Sequence, residues 1–172
     1  MNLTNLFQAA WDARCSTSHE GAEVQFKNLL SHGFVAMERT LKQVMNNYDE
    51  DLFYMVQRIL AHFIVCDGEY LQGEYDAYLK YCDWAGFEPL SVRRLEELGH
   101  EVSFDEYKRY ADIILATRPS VGEDNYECFV LSLCYMSLFG DKKIDEMEYK
   151  LITWFLDPKK DQWLSWKDYY AL

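Results

Sequence analysis

The stretch from Leu52 to Tyr75 reads LFYMVQRILAHFIVCDGEYLQGEY, and its pattern decides the fold. Within it, Leu52, Met55, Val56, Ile59, Leu60 and Phe63 recur at helical intervals of three and four positions. That spacing is the buried stripe of an amphipathic helix. An acidic turn follows, Asp67-Gly68-Glu69, and a second amphipathic run starts near Gln72. Gly86 ends that run, since glycine readily takes the left-handed cap conformation.

Reading outward, the same periodicity continues in both directions. Upstream, helices are expected over about 4–13, over 20–46 with a break near Gly33, and over 50–66. Downstream, a short helix is expected over about 91–98, after Pro89. Ser103 followed by Glu106 is a capping box opening a helix to about Thr117. Ser120 followed by Glu123 has the same form and opens a helix to about Phe139, with Phe129, Leu133, Met136 and Leu138-Phe139 on its apolar stripe. Asp157-Pro158 fits an N-cap with proline in the first turn of a C-terminal helix. Strand-type alternation is nearly missing, and glycine (8) and proline (3) are scarce. The expectation is an all-α chain, a compact bundle of about nine helices, with no linker that divides its 172 residues.

The apolar fraction of 49% is enough to fill an interior, and the aromatic fraction of 16% reads first as core filling between helices. The net charge is -12, from 17 basic and 29 acidic residues. That balance argues against nucleic acid and against anionic membrane surfaces, and it permits basic protein partners or multivalent cations. Cys15, Cys66, Cys82, Cys128 and Cys134 form no Cys-x-x-Cys pair and are odd in number. They read as reduced, buried thiols of a cytoplasmic protein. The start, Met1-Asn2-Leu3-Thr4-Asn5, lacks the basic residues and long apolar run of a signal peptide, and no apolar stretch is long enough to span a bilayer.

The acidic turn recurs. Asp67, Glu74 and Tyr75 align with Asp141, Glu148 and Tyr149 at a constant offset of 74 residues. Each copy follows a long apolar helix and leads into a second amphipathic one, so the chain reads as two similar helical halves, related in the simplest case by a pseudo-two-fold axis. A short connection of this kind brings an aspartate at one helix end near a glutamate in the first turn of the next. Glu69 in the first copy and Asp145 and Glu146 in the second are placed to join them. Oxygen-only donors suit calcium, magnesium or manganese, which makes Asp67, Glu69, Glu74, Asp141, Asp145 and Glu148 the candidate metal ligands. The alternative is purely local. Asp145-x-x-Glu148 is a capping box, and Glu74 stands at the equivalent helix position, where a negative charge also favours the helix dipole. Neither turn has the alternate-position ligands of an EF-hand.

The segment Ala61-His62-Phe63-Ile64-Val65-Cys66-Asp67-Gly68-Glu69 through Glu74 resembles the tellurite-resistance TerB family, which includes the helical domain of DjlA-type membrane co-chaperones. The resemblance covers roughly residues 30–157. It implies an all-helical fold of two similar halves, an acidic patch for a divalent metal, and a role in stress-response complexes near the membrane. By position the implied residues are Asp67, Gly68 and Glu74, then Asp141 and Glu148. The second copy departs from the pattern: Lys142 stands where glycine is expected, and Lys143 adds another cation able to neutralise the carboxylates.

No other motif carries chemistry. His19, His32, His62 and His100 form no close ligand pair, though His62, about one turn before Asp67, is positioned either to orient a carboxylate or to serve as an ordinary helix residue. Nucleophile-elbow, P-loop and dinucleotide-binding glycine patterns are missing, so the expectation is a non-enzymatic module with protein partners. A metal-dependent hydrolase is a third reading, which would require a carboxylate-lined cleft with an open metal position. Trp163, Trp166 and Tyr169 or Tyr170 form an aromatic stripe near the C-terminus, read either as core or as a docking face for a partner or a second copy.

Overall fold

The computed structural model describes residues 19–44, 51–65, 72–133, 151–152 and 154–155. Seven helices lie among them: α1 (His19–Val44), α2 (Leu52–Val65), α3 (Gln72–Ala85), α4 (Val92–Glu101), α5 (Phe104–Ala116), the single turn α6 (Arg118–Val121) and α7 (Glu123–Leu133). No strand occurs among the described residues, so the all-α expectation holds there. The expected helix over 4–13, the helix opened by Pro158 and the aromatic stripe beyond it lie outside the described residues.

The apolar stripe of α2 is the centre of the core. Leu52, Met55, Val56, Ile59, Leu60 and Phe63 are all buried. The Asp51 carboxylate starts α2 by accepting from the Tyr54 amide at 2.7 Å. At the end of α3, Gly86 has φ +83°, and the Phe87 amide reaches back to the Cys82 carbonyl at 2.8 Å, the bond of a Schellman turn. Ser103 caps α5 as expected, accepting from the Glu106 amide at 3.1 Å. The return half of the capping box is not made by a free Glu106, because that carboxylate pairs with Arg58 at 2.7 Å across the α2–α5 interface.

Two expectations are corrected. Gly33 does not break the first long helix, because α1 runs uninterrupted for 26 residues. Its glycine serves a crossing instead: a Cβ built there would stand 2.6 Å from Phe129 Cα and 2.8 Å from the Cys128 carbonyl carbon of α7. The second correction concerns Ser120. It does not cap α7, since it lies inside α6, whose first turn contains Pro119. Gly122, with φ +91°, separates the two helices, and its carbonyl accepts the first intrahelical bond of α7 from the Tyr126 amide at 2.9 Å. Glu123 is drawn into an ion pair with Arg118 at 2.5 Å and so is not the reciprocal partner of a Ser120 cap.

Packing follows from these small residues. α1 lies along α7, with Leu30, Phe34, Met37 and Leu41 buried on the facing stripe. α2 crosses α4 where Gly99 abuts the Ala61 carbonyl; a Cβ there would meet that oxygen at 2.5 Å. Phe34, Phe53 and Phe87 meet edge to face at centroid distances of 5.0–5.7 Å, the geometry that ring quadrupoles favour.

Tyrosine carries much of the interior, and each fully buried phenol has a partner. Tyr78 accepts from the Leu90 amide and from Gln57, and Tyr81 meets Ser132 at 3.3 Å. Tyr110 accepts from Arg58 Nε at 3.0 Å. Tyr107 donates to the Leu151 carbonyl at 2.7 Å and Tyr126 to the Phe155 carbonyl at 2.5 Å. The last two bonds fix Leu151 on α5 and Phe155 on α7, and Leu151, Ile152 and Phe155 complete the core. Cys82 is also buried, whereas Cys128 is only half-buried, and both thiols are free. Burial pushes the Cys82 thiol up to about 11 and the Tyr78 phenol up to about 12, so neither ionises near neutrality. No helix among the described residues is long and apolar enough to cross a membrane.

Candidate functional site

The acidic turn between α2 and α3 is the site that the sequence singles out. Of its candidate ligands, Asp67 and Glu69 lie outside the described residues, as do Asp141, Asp145 and Glu148 of the second copy. Glu74 is described. It is the third residue of α3 and is only 2% exposed. A carboxylate at that depth requires compensation by hydrogen bonds, a positive charge or the helix N-terminus, because burial otherwise favours its neutral form. The helix that carries Glu74 is held against α2 and the following loop by a polar network. Gln57 Nε2 donates to Tyr78 Oη at 3.1 Å, and Tyr75 Oη donates to the Leu90 carbonyl at 2.9 Å. These bonds tie the middle of α3 to the N-terminal half of α2 and to the loop at Leu90.

His62 stands on the last turn of α2, the helix that enters the acidic turn. Its Nδ1 is 3.1 Å from the Val102 carbonyl, and its ring lies 5.3 Å from that of Tyr107. The ring is thus engaged by the α4–α5 junction. Burial is the main influence on it and holds its pKa below the ordinary histidine value, with hydrogen bonds to Val102 and Gly99 acting in the opposite sense. Among the described residues, no group of three His, Cys, Asp or Glu side chains is placed to hold a metal ion.

A second feature was not legible in the sequence. The outer face of α5 and Trp154 enclose an open groove of about 520 Å³, lined by Asp105, Lys108, Asp112, Ile113, Ala116 and Trp154 among others. Trp154 Nε1 donates to Asp112 Oδ1 at 2.9 Å, which fixes the indole at the rim. Phe104, half exposed, meets that indole edge to face at 6.5 Å. Lys108 Nζ lies 5.0 Å from the Phe104 ring centre and 5.6 Å from that of Trp154, so its charge caps both aromatic faces. The α5 sequence alone shows a charged outer face. Only the return of Trp154, 42 residues after Asp112, turns that face into a groove.

A partly buried ion pair joins α2 to α5. Arg58 is 15% exposed, and it pairs with Glu106, donates to Tyr110 and lies 5.1 Å from the Tyr54 ring centre. This arrangement satisfies the guanidinium and leaves it a structural tie between the helices. Three comparisons with known proteins bear on the whole chain: no family model matches it, and neither a curated protein nor a solved structure is found similar to it.

Proposed function

We propose that this chain is a non-enzymatic helical module of the TerB type, whose acidic inter-helix turns hold a divalent cation and whose surface docks to protein partners. The observation that carries the reading is the burial of the Glu74 carboxylate in the first turn of α3, directly after the Asp67-Gly68-Glu69 turn. A buried carboxylate that follows two further acidic residues in sequence, Asp67 and Glu69, is an oxygen donor of the kind that suits calcium, magnesium or manganese. Two similar halves, within a bundle of about nine helices in all, are read from the acidic turn that recurs at an offset of 74 residues. By the TerB resemblance the partners belong to a stress-response assembly in the cytoplasm beside a membrane. The aromatic C-terminal stripe is the candidate docking surface, for a partner or for a second copy.

One observation favours a second reading. The third position of a helix is where a glutamate reaches back to the first backbone amides, and Glu74 occupies it. The turns are then helix starts, and the chain is a structural or protein-interaction domain without metal. Calorimetric melting of the full chain with added calcium, magnesium or manganese separates the two. A bound cation stabilises by about 2.7 kcal/mol at a hundredfold excess over its Kd. Asp67→Ala and Glu74→Gln each remove that rise under the cation reading. If none of the three cations moves the Tm of the unaltered chain, the cation reading is wrong.

A further inference from the structure

We draw no further inference here: the strongest candidate, the open groove along the outer face of α5 between Phe104, Lys108 and Trp154, carries nothing because nothing in the structure shows what covers it.

Discussion

Replacing Gly33 by alanine sets two known effects against each other. In an open helix the change stabilises by about 1 kcal/mol, because alanine is the better helix former. Here the new methyl would stand 2.6 Å from Phe129 Cα and 2.8 Å from the Cys128 carbonyl carbon. Favourable carbon–carbon contact lies near 3.5–4.0 Å, so α1 and α7 must part locally by roughly 1 Å. The obstacle is backbone, so no rotamer change relieves it. Overpacking of this kind costs about 1–3 kcal/mol, and the rigid neighbour argues for the upper part of that range. Subtracting the helix gain leaves a net loss of about 2 kcal/mol, or a Tm lower by roughly 4–8 °C for a chain of this size. Urea unfolding followed by circular dichroism at constant pH measures the difference. Truncating Phe129 in the same chain does not rescue it, because the clash is with main-chain atoms. A Gly33→Ala protein that is more stable than the parent by the helix-propensity amount would refute the close crossing.

Ser103→Ala removes the α5 cap and lowers stability by about 1 kcal/mol, read from the denaturant midpoint. Tyr126→Phe leaves the Phe155 carbonyl without its phenol donor and costs about 1–2 kcal/mol; a change within error means that the carbonyl finds another donor. His62 has its folded pKa below the ordinary 6.5, so the unfolded chain binds its proton more readily. Its contribution is neutral above about 6.5 and becomes destabilising as pH falls below that value, levelling off once the folded form also protonates. The slope of stability against pH in that window is therefore shallower in His62→Gln, and an unchanged slope assigns it to other groups.

Much of the helix pattern was legible because it depends on local chemistry. The apolar stripe of α2, the Gly86 stop and the Ser103 cap each involve residues within one or two turns, and all three are where the sequence places them. The two misread positions depend on distant partners. Gly33 looks like a helix breaker until α7 lies against it, and Ser120-Glu123 looks like a capping box until Arg118 takes the glutamate and Pro119 directs the chain into α6. The groove was hidden for the same reason, since Trp154 reaches α5 through tertiary packing. At the acidic turn the sequence marked Glu74 as unusual by its repeat alone. Its burial is a tertiary property that periodicity does not encode.

The crossing at Gly33 joins the first described helix to the last one, with α2 through α6 threaded between them in sequence. Closing so wide a loop has a larger entropic cost than bringing α2 and α4 together at Gly99. The nearer pair is therefore expected to associate early and the outer pair to seal the assembly late. Substitutions at Gly33 should then accelerate unfolding while leaving the refolding limb almost untouched, and those at Gly99 should slow refolding. A single methyl group at each site thus distinguishes the first stage of assembly from the last.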